Sequence, residues 1–299
     1  MVPYAMFWGC ISLSSLHDHL NEAALKRFFS LLWGKVQRKT IKRGVEMMKD
    51  SSVRLLALCL FGLFAQTAGA EPPVQMPDPG NWRGSITAGL DTDISSDLIS
   101  SGRWQYQSGG TTSDVMVEKT TFNDVYGSTM TGGFEASYAV TRFSEVFGRL
   151  TYSTASGDTV NLGKIGTADL MASFDDYKAY GVDLGYRYFF DMENTGFTPY
   201  LGAAAGMRYV PGFGASLNTA QSDLGTLNLF DDSFVPTLGL DLGFLYPLSR
   251  NFAVGFETGL YYSFKLKDDD SSFANGATNS NDNADRLYVP ARVKGVWKF

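Results

Sequence analysis

The region from Glu71 to the end of the chain contains neither cysteine nor histidine. Both cysteines, Cys10 and Cys59, and both histidines, His17 and His19, come before it. Disulfides need cysteine, and thiolate nucleophiles and imidazole bases need these two residue types. The second part of the chain therefore has no disulfide, no thiolate chemistry and no histidine base.

Long apolar runs and an excess of positive charge are also missing from this region. After Ala70 no apolar run approaches the roughly 18 residues that indicate a membrane-spanning helix. Residues 1–70 hold nine of the 25 basic and four of the 31 acidic residues, which leaves 16 basic and 27 acidic residues and a net charge of −11. An acidic chain without a basic block is a poor partner for nucleic acid. Helical membrane proteins and nucleic-acid binders are therefore disfavoured.

Residues 48–70 are typical of a secretory signal peptide. Two basic residues precede an apolar core at 55–65, and Ala68 and Ala70 form a small-residue cleavage site. The core is too short to span a bilayer as a helix, which needs about 20 residues. We therefore predict export, with cleavage after Ala70.

The signal peptide divides the chain into parts with different expected fates. Residues 1–47 precede it, and we favour a start codon assigned too early over a real, partly helical cytoplasmic extension. Residues 71–81 are predicted to be a short periplasmic lead, and residues 82–299 are predicted to fold as one domain.

Apolar residues alternate with small or polar residues along eight segments of the predicted domain. Successive residues of a strand point to opposite faces, so each segment has one bulky apolar face and one small, charged face. Three segments carry an acid between two glycines on the second face, in "GVDLG", "GLDLG" and "GFETG". The eight segments are Trp82–Asp93, Met130–Val140, Val146–Tyr152, Tyr180–Phe190, Phe197–Tyr209, Val235–Tyr246, Phe252–Leu266 and Leu287–Phe299.

The connections between these segments alternate in length. "TRFSE", "DMENTG" and "LSRN" are short, whereas the others are long and rich in Asp, Asn, Ser, Thr and Gly; the long ones are 94–129, 153–176, 211–233 and 267–286. Short turns at one end and long loops at the other are typical of outer-membrane barrels. The sequence predicts an all-β fold, an eight-stranded antiparallel up-and-down transmembrane β-barrel with short periplasmic turns and long extracellular loops.

Aromatic residues at both ends of the apolar face favour this barrel over a soluble β-sandwich, which also alternates. Two such bands match the aromatic girdles at the two lipid–water interfaces. The band near the turns is predicted to contain Trp82, Phe143, Phe147, Phe190, Phe197, Tyr246, Phe252 and Trp297. The band near the loops is predicted to contain Tyr152, Tyr180, Tyr209, Phe234, Tyr262 and Tyr288.

The last segment, "LYVPARVKGVWKF", ends on Phe299 and is apolar at alternate positions. It resembles the terminal strand that the barrel-assembly machinery recognises, so Trp297 and Phe299 are the predicted assembly signal. Over roughly residues 80–299 the chain resembles the OmpA-like β-barrel superfamily of small Gram-negative outer-membrane proteins. The resemblance implies an outer-membrane location, a monomer, and contact with the lipid bilayer and lipopolysaccharide.

Charged residues on the small face should point into the barrel and pair with one another. A buried charge is costly unless it is paired, so both signs at similar depths predict ion pairs. The predicted network contains Glu135, Arg149, Asp183, Arg187, Asp241, Glu257, Arg292 and Lys294. Within it we predict two clusters, Glu135–Arg149 and Asp241/Glu257–Arg292/Lys294. A filled interior predicts a structural or surface-interaction role, and the alternative is a narrow porin-like passage for small solutes or ions.

No catalytic, cofactor or metal site is predicted. Outer-membrane enzymes of similar architecture rely on histidine, and a glycosidase built on Asp241 and Glu257 would need an open cleft that a filled barrel lacks. The acidic residues at 268–270, with Asp282 and Asp285, gather carboxylates in one loop. Its segment "NSNDNADR" lacks the glycine that a calcium-binding EF-hand loop requires, so a solvated loop is expected. The sequence names no extracellular ligand.

Overall fold

The structure is a computed structural model that describes residues 76–108, 111–192, 196–268 and 284–299, with the side chains of residues 104–113 excepted. The predicted extension at 1–47 and the signal peptide at 48–70, including its cleavage site, lie outside the described residues. So do residues 71–75 of the predicted lead and residues 269–283 of the acidic loop. Within the described ranges, no helix is long and apolar enough to cross a membrane.

Strands make up most of the described chain. In chain order the elements are β1 Trp82–Ser95, β2 Asp97–Ile99, β3 Gly102–Ser108, β4 Thr111–Val117, β5 Thr120–Thr121, α1 Phe122–Tyr126, β6 Ser128–Thr141, β7 Ser144–Ala155, β8 Thr159–Ile165, β9 Ala168–Phe174, β10 Tyr177–Phe189, β11 Thr198–Val210, β12 Phe213–Thr219, β13 Ser222–Phe230, β14 Ser233–Pro247, β15 Phe252–Ser263 and β16 Arg286–Lys298.

Eight long strands close into a barrel in the order β1-β16-β15-β14-β11-β10-β7-β6. Every neighbouring pair is antiparallel, and β16 closes the barrel by pairing with β1 from Arg83–Lys298 to Ser95–Leu287. Closure leaves no unpaired strand edge, which is the condition for a sheet inside a membrane. The predicted fold class is therefore confirmed.

One boundary of the prediction was wrong. The segment Phe252–Leu266 was expected to be a strand throughout, but β15 ends at Ser263 and Lys265 is exposed beyond it. Alternation continued past the end of the strand in the sequence, so the pattern alone did not reveal where pairing stopped.

The outer face of the barrel is a belt of exposed apolar side chains. Leu184, midway along β10, has 69% of its surface exposed. At the loop end, Tyr152, Tyr180, Tyr209 and Phe234 form a row with ring centroids 5.2, 6.4 and 5.1 Å apart. A belt of this kind suits lipid and would be unfavourable in water.

Two aromatic residues assigned to the outer bands point inward instead. Phe147 is 3% exposed and Tyr288 is 0% exposed. Their neighbours on the same strand face are the buried charges Arg149 and Arg292, whose alternation places both rings in the lumen. The membership of the outer bands was therefore wrong at these two positions.

The glycines that flank the inward acids make room for large inward side chains. A Cβ at Gly185 would lie 2.3 Å from the Phe147 ring. A Cβ at Gly239 would lie 2.3 Å from the Tyr261 ring, and one at Gly243 would lie 2.4 Å from the Tyr200 ring. The glycine–acid–glycine pattern thus lets aromatic rings of neighbouring strands lie flat against the barrel wall.

We predict that Gly239→Ala destabilises the barrel by about 1–3 kcal/mol, because the added methyl group overpacks the Tyr261 ring. Gly132→Ala is the matched control, because Gly132 faces outward and its Cβ would meet nothing closer than 3.9 Å. Urea unfolding of both variants in the same lipid vesicles measures the difference. Equal unfolding midpoints would contradict this packing account.

The long loops form a second layer of structure outside the barrel. Six of their strands make a separate sheet in the order β13-β12-β9-β8-β4-β3, and β2 pairs with β5 in a short ribbon. α1 follows this ribbon, and Thr121 caps it by accepting from the Asp124 backbone N–H at 3.3 Å. The extracellular ends are therefore folded, not only extended polar loops.

Candidate functional site

The interior of the barrel holds an equal number of positive and negative side chains. Among the described residues, seven basic and seven acidic side chains are buried. The basic ones are Arg83, Arg149, Arg187, Arg208, Arg286, Arg292 and Lys294; the acidic ones are Asp91, Asp93, Glu135, Glu145, Asp183, Asp241 and Glu257. Because the positive and negative charges balance, this many charged side chains can be buried, provided that they form ion pairs with one another.

The centre of this interior is one connected cluster. An Arg149 nitrogen lies 3.0 Å from Glu135 and 2.8 Å from Glu257. It also lies 3.5 Å from Asp241. The Lys294 ammonium bridges the same two glutamates, at 3.0 Å from Glu135 and 3.1 Å from Glu257. The predicted pairs Glu135–Arg149 and Glu257–Lys294 both form, but the two clusters are not separate, because Arg149 and Lys294 reach across the narrow lumen and join them.

Two buried tyrosines complete the central cluster. The Tyr200 hydroxyl donates to Glu257 at 3.0 Å, and the Tyr261 hydroxyl donates to Asp241 at 2.8 Å. Arg149 in turn donates to the Tyr261 oxygen at 3.1 Å. These donors separate two acids of the same sign on neighbouring strands. Neither tyrosine was predicted to belong to the network, although their position on the inward face of β11 and β15 was a usable signal.

Below the centre, on the turn side, Arg187 extends the network. It lies 3.1 Å from Glu135 and 3.3 Å from Glu257, and it also pairs with Glu145. Arg83 lies 3.9 Å from Glu145 and donates to the Met76 carbonyl at 2.8 Å. Glu145 was missed because it was assigned to a turn, whereas β7 already begins at Ser144.

Above the centre, the contacts continue towards the loops. Arg292 lies 3.4 Å from Asp91 and 3.5 Å from Glu257. Arg286 binds Asp93 through two parallel hydrogen bonds of 3.0 Å. Arg286 had been assigned to a loop, so its pairing was not predicted. The network therefore runs through most of the length of the barrel.

Asp183 is the predicted network member that stays outside it. It is buried in the interior, but its hydrogen bond is to the Thr237 hydroxyl at 3.3 Å, and it makes no ion pair with a described residue. Arg149 lies directly opposite Asp183 across β7 and β10, yet its guanidinium turns towards the glutamates. The prediction that Asp183 takes part in the ion pairs was wrong.

The mouth of the barrel is closed by an apolar cluster. The Arg286 guanidinium lies 3.8 Å from the centroid of the Phe122 ring and 4.9 Å from that of Tyr177. Around this contact the loops and strand ends bury further apolar side chains, among them Leu98, Ile99, Val125, Tyr126, Ala155, Ala179, Phe174, Val210, Phe213 and Val235. We call this set the apolar cap. It follows the charged network directly and covers the mouth with apolar side chains.

An open polar groove lies at the base of the extracellular sheet, with a volume of about 470 Å³. Asp175, Asp231, Asp232 and Lys267 line it. The pKa of Asp232 is lowered because the Gly212 backbone N–H and a tyrosine hydroxyl donate hydrogen bonds to its carboxylate. Within the described ranges, no group of three or more Asp, Glu, His or Cys residues could hold a metal ion.

The residues of the predicted assembly signal lie at the turn end of β16. Trp297 points outward, with its ring centroid 5.0 Å from that of Phe252. Phe299 is exposed, and its backbone N–H donates to the Trp82 carbonyl at 3.2 Å. These positions leave both rings accessible, and their role in assembly remains a prediction.

These features together define a class of protein. A closed eight-stranded barrel with an apolar outer belt, aromatic rows and a charged interior has the architecture of an integral outer-membrane β-barrel. In water the belt would be an aggregation hazard, and in lipid the closed pairing satisfies every barrel strand.

Comparison with known proteins finds likeness only among solved structures. No family model matches the chain, and no curated protein matches it. The chain is similar to Neisserial surface protein A, with 16% identity over 74% of this chain and 97% of that one and a TM-score of 0.32. It is also similar to the N-terminal β-barrel domain of Pseudomonas aeruginosa OprF, with 12% identity, 74% and 100% coverage and a TM-score of 0.30. A third similar structure is the attachment invasion locus protein Ail of Yersinia pestis, with 14% identity, 74% and 100% coverage and a TM-score of 0.30. The class assignment rests on the strand pairing and surface of this chain itself.

Proposed function

We propose that the protein is a closed, non-enzymatic outer-membrane barrel that stabilises the envelope and presents a folded surface to the exterior. The observation that carries this proposal is the double closure of the lumen. Charged side chains fill its centre through the Arg149 and Lys294 bridges, and the apolar cap covers its mouth. A solute would have to disrupt both layers to cross.

The folded loops support a surface-interaction role. The six-stranded sheet gives the extracellular side a fixed shape, and loops held on a rigid scaffold commonly carry binding functions.

Lipid would contact the apolar belt, lipopolysaccharide would surround the loop end, and the barrel-assembly machinery would bind Trp297 and Phe299. We propose that the barrel acts as a monomer, with an extracellular partner of unknown identity.

A narrow passage for ions or small solutes is the second candidate. It is favoured by the many charged side chains that line the barrel centre, where opening would need only side-chain movement and no broken strand pairing. The apolar cap argues against it, because a resting pore would have a wetted mouth.

Conductance in a planar bilayer separates the two candidates. We predict that the refolded protein produces no discrete current steps, because the ion pairs and the cap both block the lumen. A porin refolded by the same procedure serves as the positive control for insertion. Reproducible single-channel openings of the wild-type protein would contradict the closed barrel and support the passage.

A further inference from the structure

Two charged groups between the middle of the barrel and its loop end are left out of the ion-pair network. Arg208 is 2% exposed and Asp183 is 1% exposed. Among the described residues, Arg208 Nε and Nη2 have no hydrogen-bond partner, and neither has Asp183 Oδ2. The nearby Tyr288 hydroxyl is also buried and has no hydrogen-bond partner in the part of the chain that the structure describes. An unpaired buried charge is unfavourable, so this arrangement calls for a complementary group.

Strand register places the two charges close together without joining them. Asp183 faces Gly206 across β10 and β11, and Arg208 lies two residues further along β11 on the same face. Such diagonal neighbours are within reach of a long side chain. Arg208 nevertheless extends over the Tyr288 ring, 5.0 Å from its centroid, instead of pairing with Asp183. Gly181, opposite Arg208, adds no side chain between them.

The unpartnered atoms have a defined chemistry. Nε and Nη2 form one edge of the guanidinium, and their parallel N–H groups are the fork that binds a carboxylate through two hydrogen bonds. Asp183 Oδ2 is a free anionic acceptor, which suits an ammonium group. A buried cation and a buried anion that do not pair with each other match a molecule that carries both charges in the opposite order.

We propose that this part of the barrel binds a small zwitterion, with its carboxylate on Arg208 and its ammonium group on Asp183. Tyr288 supplies a further hydrogen bond from its hydroxyl. Buried Val210 and Val235, which flank Arg208 in the apolar cap, exclude water and strengthen both contacts. This inference goes beyond the proposed function and does not depend on it, because a closed barrel can retain a bound solute.

Binding of radiolabelled glycine to the full-length chain tests the proposal. Glycine is present while the protein refolds, so that access through the cap does not limit binding. We expect saturable binding to the wild-type protein and about tenfold or greater weakening in both Arg208→Met and Asp183→Asn, since each removes a charge-assisted contact. Arg208→Lys keeps the charge and loses the fork, so it should also bind glycine more weakly. Arg142→Met, at an exposed arginine, is the matched control and should bind as the wild type does.

Competing probes separate a zwitterion site from a simpler one. Unlabelled acetate and methylamine, which carry only one of the two charges, should compete less well than unlabelled glycine. Absence of saturable glycine binding to folded wild-type protein would overturn the proposal. Acetate competing as well as glycine, or unchanged binding in a folded Arg208→Lys or Asp183→Asn variant, would overturn it equally. Heat-dependent gel mobility verifies that each variant is folded before binding is measured.

Discussion

Glu257→Ala is expected to lower the free energy of unfolding by about 3–5 kcal/mol, the cost of removing one partner from a buried ion pair. Glu257 accepts from Arg149 at 2.8 Å and from Lys294 at 3.1 Å, and both cations are almost fully buried. The substitution also leaves the Tyr200 hydroxyl without its acceptor. Glu135 remains as a partner for both cations, but removing Glu257 leaves the interior with more positive than negative side chains.

Urea or guanidinium titration of the refolded barrel in lipid vesicles measures this loss. Glu118→Ala is the control, because Glu118 is an exposed glutamate between β4 and β5 and its removal strands no buried charge. Glu257→Gln should lie between the two, since it keeps the shape and one acceptor but loses the charge. A Glu257→Ala barrel as stable as the Glu118→Ala barrel would show that the central cluster contributes little to stability.

The same variant addresses the passage hypothesis. If the interior charges only fill the lumen, Glu257→Ala should remain closed in a planar bilayer, because the apolar cap is untouched. Increased current in a folded Glu257→Ala barrel would instead identify the cluster as a gate.

Leu184→Arg is expected to destabilise the barrel by about 2–4 kcal/mol, the cost of an arginine on the lipid face near the bilayer midplane. Leu184 lies midway along β10 and is 69% exposed, so its side chain would have to hold a charge within the hydrocarbon region. The same substitution near an interface costs only about 0–1 kcal/mol. Phe234→Arg, at the loop end of β14, therefore provides the matched comparison.

Refolding titrations of the two variants in vesicles measure which substitution lowers the free energy of unfolding more. A larger cost for Leu184→Arg than for Phe234→Arg places the membrane midplane at the centre of β10. An equal or reversed ranking would contradict the assignment of the even-numbered residues of β10 to lipid.

The barrel could be predicted from the sequence because a membrane strand must alternate along its whole length. Because lipid lies on one side and a narrow lumen on the other, every position of a strand is constrained. Alternation along the strands therefore assigned Leu184 to the outer face and Asp241 to the inner face. The extracellular sheet lacks this constraint. Its strands are short and polar, and their composition resembles that of ordinary loops. The sequence therefore did not indicate that they pair.

The interior contacts were predictable only between neighbouring strands. Glu135 directly faces Arg149 across β6 and β7, so counting from the turns brings them together. Arg149 also meets Glu257, 108 residues away on a strand that is not its neighbour. Such a contact depends on barrel diameter and on the direction that a long side chain takes, and periodicity reports neither. The same limit explains why Asp183 was assigned to ion pairs from which it is absent.

The barrel and the extracellular sheet have no strand in common. They are joined by the chain connections and by side chains of the apolar cap, such as Phe122 and Val235, with little shared backbone hydrogen bonding. Cooperative units of this kind can open separately. Amide hydrogens of the outer sheet can therefore exchange with solvent, and its connections can be cleaved by proteases, while those of the barrel stay protected. The exterior of the protein can thus diverge in sequence, or be remodelled by a partner, without weakening its hold in the membrane.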